Sequence, residues 1–214
     1  MMRRSRIPIF IWLLAAIALA LFSVPLLSLV IRAPWSDLGR TLSSSVVHDA
    51  LKLSLICSAI ATIVCVVIGV PCAWVLAYSS LPGKSAFRSL CTLSMVLPPV
   101  VSGVALIAAL GRRGVVGQFL FSWWEIQIPF TIVAVVIAET FVALPFLILT
   151  VDAALRQLDP VFDESARVHG ATSWYAFRRV ILPSIRPALI SGIVLAWARA
   201  LGEFGATITF AGNL

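Results

Sequence analysis

The chain has 214 residues, of which 61% are hydrophobic and 12% are charged, and its mean hydropathy is +1.06. Soluble domains carry about a quarter charged residues, so this composition excludes an ordinary water-soluble domain and indicates a bilayer as the solvent. The net charge of +7 does not predict nucleic-acid binding, because the Lys and Arg residues lie mainly in short segments between apolar stretches.

Five apolar stretches approach or exceed the roughly 20 residues that a helix needs to cross a bilayer core. They cover about residues 7–31, 50–79, 90–110, 129–151 and 187 onwards. The first follows three arginines, as a signal peptide would, but its apolar run is about twice the usual length and we predict a retained helix. Pro and Gly inside the other stretches are tolerated where neighbouring helices satisfy the backbone. The predicted fold is an all-α integral membrane bundle with about five transmembrane helices.

Basic residues predict which side of the membrane each connecting segment occupies, because cytoplasmic loops are enriched in Lys and Arg. With the N-terminus inside, ten basic residues lie in cytoplasmic segments and four lie outside. The inside set is Arg3, Arg4, Arg6, Lys84, Arg88, Arg156, Arg167, Arg178, Arg179 and Arg186, and the outside set is Arg32, Arg40, Arg112 and Arg113. This distribution predicts a cytoplasmic N-terminus and a large cytoplasmic loop over residues 152–186.

The four cysteines, Cys57, Cys65, Cys72 and Cys91, lie in or beside apolar segments and form no CxxC pair. We therefore expect reduced thiols that act as small hydrophobic residues, rather than disulfides or zinc ligands. No Ser-His-Asp or paired-Asp arrangement falls on adjacent turns of a predicted membrane helix. No catalytic, metal or cofactor site is expected in this chain.

The loop of residues 152–186 carries clear helix signals. Asp159-Pro160 is a helix start, and Gly170 would cap the short helix that follows it. A second short helix is predicted from about Ser173 to Val180, ending before Pro183. Basic, acidic and aromatic side chains are mixed along this loop, which is typical of a docking surface and also of an amphipathic linker on the membrane surface.

The spacing within this loop resembles that of permease subunits of ATP-binding-cassette importers. Their cytoplasmic motif reads Glu-Ala-Ala, three residues, Gly, nine residues, then Ile, any residue and Leu-Pro. Here Glu164-Ser165-Ala166 is followed by Gly170 and Val180-Ile181-Leu182-Pro183 at the same spacing, with Ser for Ala and Val for Ile. The resemblance implies a type I importer permease fold, whose coupling helices sit in a cleft of a separate ATPase subunit. ATP would bind to that partner, because this sequence has no GxxxxGK[ST] phosphate loop.

Other runs resemble the molybdate branch of these permeases, which is close to the sulfate branch. They are Pro82-Gly83-Lys84, Leu97-Pro98-Pro99-Val100-Val101, Gly111-Arg112-Arg113-Gly114 and the run Leu201-Gly202-Glu203-Phe204-Gly205-Ala206-Thr207. The resemblance covers about residues 50–214 and implies an importer of molybdate or tungstate, with sulfate or thiosulfate as the alternative. It also implies a homodimer, an ATPase subunit on the inner side and an extracytoplasmic substrate-binding protein.

We divide the chain into an N-terminal transmembrane helix with its outer loop, residues 1–48, and a permease core, residues 49–214, which contains the coupling loop 152–186. Members of the resembled branch continue for several tens of residues past the run that ends at Thr207, and they form a sixth helix. We therefore expect a final C-terminal helix to be missing here, because the chain either is a fragment or works with five helices.

Two pairs of charged residues are candidate functional residues. Arg112 and Arg113 form a paired positive charge predicted on the outer face, where they would meet a dianion or an acidic patch on the binding protein, or would anchor a helix end. Glu203 is costly within a membrane helix and follows Arg199 by one turn, so we expect a structural ion pair or a gate contact. The candidate gate or pathway residues are Arg199, Gly202, Glu203, Gly205 and Thr207.

Glu139 lies in the fourth apolar stretch without a charged partner nearby in its own helix, and packing or a subunit contact is the expected role. An alternative function of another class is an integral membrane enzyme that modifies lipids. That enzyme would need Glu139, Glu203 and His169 to converge, whereas His169 belongs to the loop motif. Activity of the purified chain on a lipid is the observation that favours the enzyme over the transporter.

Overall fold

The computed structural model describes residues 8–159, 161, 168 and 170–212. The described residues form helices, turns and connecting segments without a strand, which agrees with the predicted all-α class. The chain divides into two compact units, Met1–Ala50 and Leu51–Leu214.

The first unit contains the N-terminal helix, α1 (Ile9–Arg32), followed by a 3-10 turn (Trp35–Asp37) and the short α2 (Leu38–Leu42). The 24 residues of α1 extend about 36 Å at 1.5 Å per residue, which is enough to cross a bilayer. None of them is buried. The indole of Trp35 donates a hydrogen bond to the Val30 carbonyl (2.8 Å) and fixes the turn at the end of α1.

Two long helices organise the second unit: α3 (Ser45–Tyr78), most of which belongs to it, and α7 (Ile132–Gln157). Thr131 caps α7, because its hydroxyl accepts a hydrogen bond from the Ala134 N–H (3.2 Å). With α1, these are the three described helices that are long and apolar enough to cross a membrane alone.

The third predicted span is two helices rather than one. α4 (Lys84–Val96) and α5 (Pro99–Leu110) meet at a bend of 120°, so the prediction of one helix over 90–110 is wrong. Two prolines in succession remove two backbone donors, and Leu97 takes the extended conformation that a following proline favours (ψ 132°). The short α6 (Gly117–Trp124) then leads towards α7.

The fifth predicted span is broken as well. α8 (Ser173–Ser184) meets α9 (Arg186–Leu201) at 76°, and α10 (Gly205–Phe210) starts after a break. The prediction of one continuous helix from about residue 187 onwards is therefore wrong. If each bent pair makes one crossing, the described residues supply five spans, in agreement with the predicted number.

A proline lies inside α8, where the sequence predicted a stop. Ser173–Ala176 is α-helical, Phe177–Ile181 forms a π-helical turn, and Leu182–Ser184 is α-helical again. Pro183 does not end this helix, because the wider π turn just before it gives the ring room that a regular ladder lacks. The prediction that the helix stops before Pro183 is wrong, and the direction changes at Ile185 instead.

The core of the second unit consists of two apolar clusters joined by α7. One contains Leu147, Ile148, Val151 and Leu155 of α7 with residues of α3, α8 and α9. The other contains Ala134, Val135, Ala138 and Val142 of α7 with residues of α3, α5 and α10. All four cysteines are free; three are buried and Cys72 is half-buried, as the sequence predicted.

Leu147 marks the closest approach of three helices. A Cβ atom at Gly69 of α3 would lie 3.1 Å from one Leu147 methyl group, and a Cβ at Gly192 of α9 would lie 3.0 Å from the other. Both distances are shorter than ordinary van der Waals contact. Leu147 therefore fills the space that two glycines leave, and small residues at such positions let membrane helices pack closely.

Candidate functional site

The structure describes part of the predicted coupling motif. Glu164, Ser165 and Ala166 lie outside the described residues. Gly170 has a φ of +79°, in the left-handed region that a helix-capping glycine adopts at low cost. A Cβ there would meet nothing within 4 Å, so the backbone conformation, and not lack of space, is what favours glycine.

The second half of the motif is α8. Thr172 starts it by accepting a hydrogen bond from the Tyr175 N–H (3.3 Å). Val180 and Leu182 are half-buried, and Pro183 is exposed. The neighbouring Ile181 is buried in the cluster around Leu147, so α8 packs one face against the bundle.

An aromatic stack fastens α8 to α3. The ring centres of Phe177 and Trp74 are 4.2 Å apart and the rings are nearly parallel. Trp174 also stacks on Phe177, with 5.8 Å between the ring centres. Phe177 is 6% exposed and belongs to the same apolar cluster as Ile185. Displacement of α8 would therefore be passed directly to α3, because packed side chains do not yield without rearrangement.

The opposite face of α8 is open and carries basic and aromatic residues. Thr172, Trp174, Tyr175, Arg178 and Arg179 surround a groove of about 330 Å³. Trp174 and Tyr175 are 61% and 57% exposed. Aromatic and Arg side chains are enriched at protein interfaces, so this groove has the chemistry of a docking site.

A cluster of charged side chains with a buried carboxylate lies near the C-terminal end of α7, where the predicted coupling loop begins. Asp152 is fully buried and accepts two hydrogen bonds of 2.8 Å from Arg88 of α4, one to each carboxylate oxygen. Arg156, one turn later on α7, also pairs with it (3.2 Å). Arg88 donates a further hydrogen bond to the Leu76 carbonyl (2.9 Å), in the last turn of α3, where helix carbonyls lack partners. The cluster thus joins α3, α4 and α7.

From the sequence, Arg88 and Arg156 were predicted only as topology signals, and Asp152 was not predicted as a site residue. The spacing of Asp152 and Arg156 by four residues on one helix is a signal that could have been read. The bond to Arg88 spans 64 residues and has no signature in a single sequence.

The predicted pair of Arg199 and Glu203 is present in the structure, where the two side chains form an ion pair. Glu203 lies in the break between α9 and α10 rather than inside a membrane helix, which corrects the expected position. Its other oxygen accepts a hydrogen bond from the Ala206 N–H (2.7 Å), so the carboxylate also satisfies the start of α10.

The remaining candidate gate residues surround this break. Gly202 ends α9, and Gly205 begins α10, where a Cβ would approach Pro99 of α5 to 2.7 Å. Thr207 is half-buried, and its hydroxyl finds no hydrogen-bond partner among the described residues. Glu139 is 4% exposed and lies within electrostatic range of Glu203, a proximity that the sequence did not reveal.

The two adjacent arginines form a separate site. Arg112 and Arg113 are exposed in the turn between α5 and α6, and the Arg112 guanidinium lies 4.1 Å from the centre of the Phe121 ring, within cation–π range. In the described part of the chain, no group of three or more His, Cys, Asp or Glu residues could hold a metal ion.

Comparison with known proteins assigns this arrangement to a family. Residues 66–214 match the family described as binding-protein-dependent transport system inner membrane component. The chain belongs to this family. It is therefore a multi-pass membrane protein with the fold of a type I importer permease, and the match replaces the alternative of a lipid-modifying enzyme.

Individual relatives agree with the family match. The chain is 40% identical to the molybdenum transport system permease protein ModB of Mycobacterium tuberculosis, over 97% of this chain and 78% of that protein. It is 39% identical to ModB of Escherichia coli K12, over 78% and 72% of the two chains. It is also 35% identical to the sulfate transport system permease protein CysT of Salmonella typhimurium, over 89% and 70%.

Proposed function

We propose that this chain is the membrane-spanning permease subunit of an ATP-driven importer that carries molybdate, or the similar tungstate ion, across the cytoplasmic membrane. The observation that carries the proposal is the 40% identity to a molybdenum permease over 97% of the chain. The runs Gly111–Gly114 and Leu201–Thr207, which resemble the molybdate branch, support it.

The proposed partners are an ATPase subunit, which binds the ATP, and a substrate-binding protein on the outer side. The groove on α8, with exposed Trp174 and Tyr175 beside two arginines, supports docking of the ATPase there. Through the stack of Phe177 on Trp74, movement of the docked ATPase subunit would be transmitted from α8 to α3. The permease would act as a homodimer, with its N-terminus in the cytoplasm as the distribution of basic residues indicates.

The proposed gate is the break between α9 and α10. The ion pair between Arg199 and Glu203, together with the hydrogen bond from Glu203 to α10, would hold these helices in one arrangement. ATP-driven movement of α8 would reach this break through α9, which follows α8 directly. On the outer face, Arg113 and Arg112 would contact the acidic surface of the binding protein or attract the dianion.

Sulfate is the second candidate substrate, because relatives named as sulfate permeases cover 89% of this chain at 35% identity. Sulfate and molybdate are both tetrahedral dianions, and the binding protein would make much of the selection.

The test is uptake by proteoliposomes that contain this permease, its ATPase subunit and the binding protein. We expect ATP-dependent accumulation of radiolabelled molybdate, with weaker uptake of labelled sulfate. Accumulation of sulfate with no competition by excess molybdate would reverse the substrate assignment. If neither anion accumulates while the ATPase stays bound and hydrolyses ATP, the proposed function is wrong.

A further inference from the structure

One face of α4 is polar although the helix belongs to a candidate membrane span. Ser85, Arg88, Ser89 and Thr92 recur at helical spacing and, with Leu93 and Val96, line an open groove of about 470 Å³. A polar face directed towards lipid is costly. Within a bilayer, such a face borders a water-filled path or another polypeptide.

The hydrogen bonds of Arg88 leave part of its guanidinium available to the groove. Its Nε and Nη2 atoms are held by Asp152 and the Leu76 carbonyl, and among the described residues no bond to Nη1 is formed. The side chain is 25% exposed. Asp152 thus fixes the guanidinium plane, while the outer N–H groups remain free to donate.

The neighbouring hydroxyls add donors on the same face. Ser85 and Ser89 are exposed and separated by one helical turn, and within the described residues neither hydroxyl is engaged. Thr92 differs, because its hydroxyl donates to the Arg88 carbonyl (3.0 Å). Two hydroxyls and a guanidinium edge therefore face the groove as donors.

The charge of the cluster favours an anion. One carboxylate, Asp152, is shared by two arginines, Arg88 and Arg156, so the group has one positive charge in excess. Charge-assisted hydrogen bonds from Arg to an oxyanion are among the strongest in proteins, and the planar guanidinium suits oxygen pairs.

We propose that Ser85, Arg88 and Ser89 form a binding step for a tetrahedral oxyanion on the translocation pathway, at the end of the bundle where the coupling segment leaves α7. Asp152 is the positioning residue, since it orients Arg88 without contacting the anion. This proposal rests on the proposed function, because it assumes that an oxyanion crosses the membrane through this chain.

The experiment combines binding and transport. The detergent-solubilised complex of permease and ATPase, without binding protein, is titrated calorimetrically with molybdate and with sulfate, and the same complexes are tested for uptake in proteoliposomes. The double variant Ser85→Ala/Ser89→Ala should weaken molybdate binding by roughly a hundredfold, about tenfold for each hydroxyl, since a hydrogen bond to a charged group contributes about 1.5 kcal/mol or more. Uptake should slow as well.

Ser122→Ala and Ser191→Ala are matched controls, because both serines are exposed and bond to their own helices. They should leave binding and uptake unaltered. Arg88→Lys keeps the charge and loses the two-point bond to Asp152, so it should weaken binding while retaining selectivity for dianions over chloride. Asp152→Asn adds a positive charge to the cluster but releases Arg88. Lower affinity in Asp152→Asn, restored in part by Asp152→Glu, would therefore show that the orientation of Arg88, and not the net charge, decides binding.

Three outcomes overturn the proposal. Normal binding and uptake in Ser85→Ala/Ser89→Ala would mean that the hydroxyls do not meet the anion. Loss of complex assembly in that variant, with binding per assembled complex unchanged, would make the face a protein contact. Wild-type uptake without measurable anion binding to the complex would place recognition elsewhere. Failure of wild-type uptake, by contrast, would refute the proposed function itself.

Discussion

The packing of α8 against the bundle gives the most direct test of how the predicted coupling loop is held in place. Phe177→Ala removes a ring that is 6% exposed and that stacks on Trp74 at 4.2 Å. Removal of a buried Phe side chain costs about 3–5 kcal/mol, and a stacked aromatic pair contributes about 0.5–1.5 kcal/mol of that. For a chain of this length we expect the unfolding midpoint to fall by about 6–20 °C.

The buried cysteines provide the assay. Cys57, Cys65 and Cys91 should react with a fluorogenic maleimide only when heating opens the solubilised chain, so the fluorescence transition reports unfolding. Phe177→Leu, which keeps most of the apolar volume, should lose less than about 1.5 kcal/mol.

The exposed neighbour is the control. Trp174→Ala should change the midpoint by no more than a few degrees, because Trp174 is 61% exposed. In proteoliposomes, Phe177→Ala should lower ATP-driven uptake more than basal ATP hydrolysis. If Phe177→Ala melts at the wild-type temperature and transports normally, the stack does not hold α8 and the route from the docking groove to α3 is wrong.

Changes at four further positions test other parts of the structure with the same thermal assay. Glu203→Gln keeps an acceptor for the backbone of α10, so it should be less destabilising than Glu203→Ala, which also loses a cap of about 1 kcal/mol; equal losses would argue against capping. Gly192→Ala introduces a methyl 3.0 Å from a side chain of α7 and should cost about 1–3 kcal/mol, and an unchanged midpoint would contradict the close approach. Asp152→Ala leaves the half-buried Arg88 guanidinium without its carboxylate and should cost about 1.5–3 kcal/mol. Arg156→Ala should cost less than about 1 kcal/mol, because Arg156 is 53% exposed, and a loss as large as that of Asp152→Ala would show that Arg156, rather than Arg88, is the main partner of Asp152.

Much of the architecture is readable from the order of apolar residues. The helical class, the number of crossings and the reduced cysteines follow from composition and hydropathy, since a bilayer imposes a length and forbids unsatisfied backbone. The cap at Thr131 follows a local rule that acts within a few residues, whereas α3 begins at Ser45, before the stretch predicted over about 50–79.

The predictions from sequence fail where contacts between residues far apart in the chain determine the local backbone conformation. The pair Pro98-Pro99 was read as a tolerated kink, yet the chain bends by 120° there because α5 packs against α10 rather than continuing α4. Pro183 was read as a stop, yet the π turn from Phe177 to Ile181 carries the helix past it, and that turn is held by burial against Trp74.

The candidate site likewise contains some contacts that the sequence predicts and others that it does not. The pairing of Arg199 with Glu203 is a four-residue spacing and could be predicted, whereas the loop break that contains Glu203 could not. The bond between Arg88 and Asp152 joins residues 64 positions apart, and a single sequence contains no information about which distant carboxylate a given arginine will meet.

The closest approach of α3, α7 and α9 limits how this protein can vary. Leu147 extends one methyl towards Gly69 and the other towards Gly192. A shorter side chain at position 147 would make room for Gly192→Ala, whereas a Cβ at Gly69 would still lie 3.2 Å from Leu144. Positions 147 and 192 should therefore change volume together, so that a library randomised at both is enriched in pairs such as Gly192→Ala with Leu147→Val. The substitutions that α9 tolerates at this contact would then depend on those in α7.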